Sequence, residues 1–308
     1  MPYAMLAFLS LLWGSSFLLI KIASRGFEPF GLALGRVGIG AAALAAVAIA
    51  SREAWPKGRR LWGRLALVSI IGQITPFVLL GVAAKFTTSA GLALVMGGVP
   101  IFSFMLSRMS GAGEIWSARA AMGLACGLAG VAISVGFPLG AGDAAHPLAG
   151  WGRGIALIAA LGYGAGALLS RAASLEIGAT MAATASMAIS TAVLLILWLA
   201  SEGMPSAAVG ATPVEAAAAL IALGVFNTAL AYFVYFRLVV SAGATFAALN
   251  NYIVPFIGMV LGWAVLGEPI AAAAWFGFAL VIAGVALMGS SAAPGANAGR
   301  PIFSRHLE

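Results

Sequence analysis

Charge is the first thing this chain lacks. Lysine, arginine, aspartate and glutamate make up 8% of its 308 residues, 62% are apolar, and the mean hydropathy is +1.07. A soluble domain carries about a quarter of its residues charged, so a water-solvated globular protein is excluded. Cysteine is nearly absent too. Cys126 alone cannot form an intrachain disulfide and implies no compartment. The two histidines, His146 and His306, fall in a loop and in the tail. There is no HExxH sequence and no Ser/His or Asp/Asp pair within the apolar runs, so the chain reads as a non-enzyme. No phosphate-cradling Walker sequence is present, which excludes ATP hydrolysis by the chain itself, and no cofactor or metal is implied. Strict polar/apolar alternation is missing, which excludes a β-barrel. No small-residue cleavage site follows the first apolar run, so residues 3–24 read as a span and not as a removable signal.

Long apolar runs are abundant. A bilayer core of about 30 Å needs about 20 apolar residues per helix. Windows between polar or Pro/Gly breaks predict helices near 3–24, 30–51, 62–84, 87–109, 117–136, 152–172, 178–200, 215–238, 241–266 and 270–289. The fold class is therefore an all-α membrane protein of ten transmembrane helices. The one long connection, 137–151, divides a first unit (1–138) and a linker (139–149) from a second unit (150–289), and a polar tail (290–308) follows. The net charge of +7 comes from loop lysines and arginines, not from a separately folding basic segment. The partner of that charge is the lipid bilayer, and nucleic acid is not expected. With the N-terminus cytoplasmic, the inner side collects Arg52, Lys57, Arg59, Arg60, Arg64, Arg108, Arg119, Arg171, Arg237, Arg300 and Arg305. The outer side has only Arg25, Lys85 and Arg153. That bias places both termini in the cytoplasm, with the chain in an inner membrane.

The two units repeat one another. At a spacing of 150, Leu11–Ser15 falls on Leu161–Ala165 and Lys21 on Arg171. At 152, Lys85–Gly91 falls on Arg237–Gly243. At 154, Gly113-Glu114 falls on Gly267-Glu268, and at 155 Pro100 falls on Pro255. Polar and proline positions stay in step, which chance likeness between Ala/Leu-rich helices would not produce. An odd number of crossings makes the second unit enter from the opposite side. The expectation is two inverted five-helix repeats around a central cavity, an architecture suited to alternating access.

Residues foreign to lipid gather at mid-span: Gln73 with Pro76, Gly97-Gly98 with Pro100, Asn227-Thr228, and Asn250-Asn251 with Pro255. Buried amides need partners, and each proline removes an N–H and displaces the carbonyl four residues back. Such breaks are tolerated where they face protein or a watery cavity. Pro76, Pro100 and Pro255 are therefore expected as helix breaks or hinges, and the amides either bind solute or glue helices together. Most tryptophans lie near span ends, as membrane interfaces favour. Trp13 and its repeat mate Tyr163 are deep, as is Tyr252; with Phe17 and Phe77 they would line an apolar cavity for a small organic solute. Lys21, Lys85, Arg171 and Arg237 are expected to snorkel. Arg36, opposite Ser186 in the repeat, reads the same way, with binding of a substrate carboxylate as the alternative. Glu114 and Glu268 read as acids opening helices five and ten. Gly123 and Gly127 form a GxxxG that packs helix five against a neighbour, within the chain or in a weak dimer. No carboxylate lies at mid-span, so a carboxylate proton relay is not expected.

The Leu12–Phe17 stretch and the Pro…Gly-Glu hairpins at 100–114 and 255–268 resemble the EamA family of the drug/metabolite transporter superfamily across residues 4–289. Within it the chain is most similar to the YddG-type exporters of aromatic and other neutral amino acids. The resemblance implies a cavity between helices one to four and six to nine, with helices five and ten peripheral. It implies Trp13, Phe17, Gln73, Phe77, Met96, Tyr163, Asn227, Asn250 and Asn251 as cavity residues. It also implies a secondary transporter exporting amino acids or related metabolites, as a monomer or weak homodimer. Efflux of cationic drugs, which calls for a membrane-embedded acid, and a non-transporting scaffold are the alternatives.

Overall fold

The computed structural model describes residues 2–109, 118–135, 148–202, 212–242, 247 and 250–289. Glu114, most of the 139–149 linker and the 290–308 tail lie outside the described residues. The described residues form ten helical segments in order. They are α1 (Pro2–Ala23), α2 (Pro29–Ala50), α3 (Arg59–Ser69, Ile70–Ile74 and Thr75–Ala84), α4 (Ser89–Met96 and Val99–Met109) and α5 (Ala118–Val135). Then come α6 (Ala149–Ile177), α7 (Ala179–Ser201), α8 (Val214–Gly224, Val225–Leu230 and Ala231–Ala242), α9 (Asn250–Leu266) and α10 (Ala272–Gly289). Among the described residues, seven are long and apolar enough to cross a bilayer, and α5, α9 and α10 hold shorter apolar stretches. Those three run to 18, 17 and 18 residues, close to the lower limit for a span.

Local chemistry sets several boundaries. Pro29 opens α2 where its missing N–H costs nothing. The Thr88 hydroxyl caps α4 by accepting from the Gly91 N–H at 3.0 Å. Only Gly178 separates α6 from α7, at φ +83°, a conformation open to glycine at little cost.

The packing repeats as the sequence does. α1 lies against α8 and α9, and its mate α6 against α3 and α4. α2 meets α8 as α7 meets α3, while α2–α7, α4–α9 and α5–α10 pair mates with each other. Exchanging the first five helices for the last five leaves this set of neighbours unchanged, as a two-fold axis relating inverted halves requires. The Gly123/Gly127 face is used inside the chain. A Cβ on Gly284 of α10 would stand 2.6 Å from the Gly123 carbonyl oxygen and 2.5 Å from the Gly127 nitrogen.

The end where α1 finishes, the far end, is tied by polar contacts between helices. Lys21 Nζ donates to the Ala84 and Thr87 carbonyls at 2.5 and 2.8 Å, capping α3 rather than reaching for water. Glu28 pairs with Lys85. The Glu202 carboxylate, at the end of α7, accepts the Phe30 and Gly31 N–H groups at 2.8 and 2.9 Å. Glu268 accepts the Ser89 and Ala90 N–H groups at 2.9 and 3.0 Å, and the Ser89 hydroxyl at 2.8 Å. The expectation that Glu268 opens helix ten is thus corrected: its carboxylate serves the N-terminus of α4, in the other half. Gly267, at φ +65°, turns the chain so that it can. At the near end, where α1 begins, Arg64 and Glu176 form an exposed ion pair of 2.8 Å. An opening of about 610 Å³ lies there between α1, α2, α7 and α8, with Glu53, Thr180 and Arg237 on its walls.

Backbones touch where α3 crosses α6. A Cβ on Gly166 would stand 2.3 Å from the Gly72 Cα, whereas one on Gly154 of the same helix meets nothing within 4 Å. Gly166→Ala should lower stability by about 1–3 kcal/mol, while Gly154→Ala is neutral or slightly stabilising; thermal melts in detergent distinguish the two.

Candidate functional site

Two helices widen at mid-span. In α3 the turn Ile70–Ile74 is π-helical, and in α8 so is Val225–Leu230. Such turns free carbonyls and redirect side chains, and they are frequent at functional sites. In α3 the cause is legible. Pro76 cannot donate to the Gly72 carbonyl, and its ring needs the room. α8 has no proline there; instead Thr228 Oγ1 donates to the Leu223 carbonyl, five residues back, at 2.8 Å. The mid-span break of α4 falls at Gly97-Gly98, between its two helical halves, with Pro100 just after it. Pro255, by contrast, lies inside the continuous α9. The two helices cross at this level, where a Cβ on Gly97 would sit 3.3 Å from the Pro255 ring.

These distorted segments surround a cavity of about 270 Å³. Its walls include Trp13, Phe17, Phe77, Met96, Tyr163, Asn227, Asn250, Asn251 and Pro255 from the sequence-derived set. Gln73, Pro76 and Pro100 stand outside it. Nothing is described of the Tyr252 side chain. Gln73 is bonded to α7 instead: its Nε2 donates to Ser186 Oγ at 2.9 Å, and its Oε1 accepts from Ser190 Oγ at 2.7 Å. Asn227, its equivalent at a spacing of 154, binds α1 by donating to the Leu12 carbonyl and to Ser15 and Ser16 Oγ. Asn250 Oδ1 accepts from Ser10 Oγ at 2.8 Å. Asn251 is the exposed amide of the set.

The aromatic walls come in two related pairs. Trp13 meets Tyr232 edge-on, with ring centroids 6.2 Å apart, and Tyr163 meets Phe77 edge-on at 5.8 Å. Trp13 and Tyr163 are repeat mates, and so are Phe77 and Tyr232, at the spacing of 155 that relates the two prolines. The same spacing marks Tyr232 as a wall residue in the sequence alone. Each edge-to-face pair contributes about 0.5–1.5 kcal/mol beyond its burial.

Arg36 corrects an expectation. Its side chain does not snorkel: the residue is 7% exposed and lines the cavity. Nε donates to Thr228 Oγ1 at 3.2 Å, and the guanidinium lies 4.5 Å from the Phe77 ring centroid. The cavity wall thus combines aromatic faces, hydroxyls, amides and one cation. Among the described residues no carboxylate lines it, and no group of acids, histidines or cysteines could hold a metal ion.

This architecture has relatives. The EamA-like transporter family matches residues 1–136 and 150–290. An uncharacterized transporter, YdfC, of Bacillus subtilis (strain 168) is 27% identical over 259 residues, spanning 83% of this chain and 80% of that protein. A probable terminal-alkyne amino-acid exporter of Streptantibioticus cattleyicolor is 27% identical over 277 residues, 90% of this chain and 89% of its own length. A solved crystal structure superposes with a TM-score of 0.62 at 19% identity, over 93% of this chain and 95% of the other, a likeness of fold alone. With both halves matched, ten helices in two repeats and a cavity between them, the chain belongs to the EamA-like transporter family.

Proposed function

We propose that this transporter exports neutral amino acids, aromatic ones included, from the cytoplasm by alternating access, without ATP and without a carboxylate proton relay. The observation that carries the reading is the mid-span cavity, built from two repeat-related aromatic pairs and a small set of amides and hydroxyls. Apolar walls with a few placed polar groups recognise small organic solutes. The name of the Streptantibioticus relative supports amino acids as the class. The arginine and lysine distribution supports a cytoplasmic near end. The opening at that end, together with the acid-capped contacts at the far end, supports a conformation that loads solute from inside. Cation efflux is disfavoured, since the charged group lining the cavity is an arginine.

Purified protein in liposomes should carry labelled phenylalanine, methionine or threonine above the rate of empty vesicles, with no dependence on an imposed pH gradient. No flux of any amino acid would exclude the reading.

The amides should separate by role. Gln73→Leu removes two hydrogen bonds between α3 and α7, to Ser186 and Ser190, and should cost about 1–3 kcal/mol of stability. Asn251→Leu should leave the melting temperature unchanged and alter the half-saturation concentration; flux and melting measured on both variants check the split.

A further inference from the structure

We propose that Arg36 is the anchor for a carboxylate on the transported solute. The inference rests on the central cavity being the solute site, and it adds the group that is recognised.

Arg36 sits seven residues into α2, about 10 Å along the helix at 1.5 Å per residue. A cation at that depth is costly unless it snorkels or is paired, and this one turns inward. Two contacts fix it. Thr228 Oγ1 takes the Nε hydrogen at 3.2 Å, and Phe77 lies against the guanidinium face at 4.5 Å. A guanidinium held by Nε and one face keeps its outer fork, the two terminal nitrogens, free in direction for a planar bidentate partner. A carboxylate matches that fork in geometry and charge. Among the described residues no acid lines the cavity, and the ion pairs Arg64–Glu176 and Glu28–Lys85 do not involve Arg36.

The repeat supplies a second line of reasoning. The aromatic walls obey the two-fold relation, and so do the helix pairings of α2 with α8 and of α7 with α3. At the position equivalent to Arg36 stands Ser186, which does the packing work in its half by accepting from Gln73 at 2.9 Å. A small hydroxyl therefore suffices to join these helices, so structure alone does not call for a cation. The arginine breaks the symmetry where the cavity is. The class selected is a small monocarboxylate with an apolar or aromatic side chain. In an amino acid, the ammonium would face the rings of Trp13, Tyr163 and Tyr232, where cation–π attraction is available.

The test compares phenylalanine, phenylalaninamide and 3-phenylpropionate as competitors of labelled phenylalanine in proteoliposomes, and as ligands of the full-length protein in thermal-shift titrations. Wild type should bind both carboxylates at least about tenfold more tightly than the amide. Arg36→Gln should lose that preference, and Arg36→Lys, which keeps the charge without the fork, should fall between. Wild type binding the amide as well as the acids, or binding neither acid, would overturn the proposal. So would Arg36→Gln retaining the wild-type preference. If Arg36→Gln does not fold, the acid–amide comparison on wild type and Arg36→Lys decides. Arg36-dependent binding of 3-phenylpropionate without phenylalanine flux would support the anchor while refuting amino-acid export. Phenylalanine flux that ignores Arg36 would do the reverse.

Discussion

Hydrocarbon offers no hydrogen bonds, so each polar group within a span must find its partner in protein, and this constraint shapes the structure. An unsatisfied group at that depth costs several kcal/mol. The chain answers by letting one half complete the other. Gln73 of the first unit is bonded by α7 of the second, and Asn227 of the second by α1 of the first. The N–H groups that open α2 and α4, which have no partner within their own helix, receive Glu202 and Glu268 from the second unit. Neither half could be withdrawn without stranding buried polar atoms, which makes the two units one machine and not two packed domains.

The inverted symmetry turns this dependence into a possible motion. Contacts that close the far end join elements whose equivalents lie around the near-end opening. The residues equivalent to Phe30 and Gly31, which Glu202 caps, are Thr180 and Met181 at the start of α7, and Thr180 lines that opening together with Glu53. Two ends built from equivalent parts, one tied and one open, are what exchange of conformations between inverted halves requires. The cavity lies between them, at the level where α4 is broken and where α3 and α8 widen.

Much of this was legible in the sequence because hydropathy, proline and glycine act locally. The spans, their order and the repeat follow from runs of about 20 apolar residues and from the polar positions that stay in step. Tyr232 was equally legible, since the spacing that joins Pro100 to Pro255 joins Phe77 to it. The roles of polar side chains were not. Gln73 and Asn251 are both mid-span amides, and only the packing puts one between helices and the other on the cavity. Arg36 differs from expectation for the same reason: an arginine near a helix end points toward water by default, and the hydroxyl of Thr228, far off in sequence, holds it inward. Glu268 caps a helix, as an acid beside a turn suggests, but the helix it caps lies 179 residues away from it in the chain.

The central claim is that the two halves exchange conformations so that one end opens as the other closes. It is tested most directly by distances across both ends of the same protein. With Cys126 replaced by alanine, spin labels at Ser51 and Thr180 would report the near end, and labels at Arg25 and Ser201 the far end. Glu202→Gln, which weakens the cap on α2, should lengthen the far-end distance and shorten the near-end distance in the same population of molecules. Distances that move in the same direction, or a far end that opens while the near end stays as it was, would contradict the account.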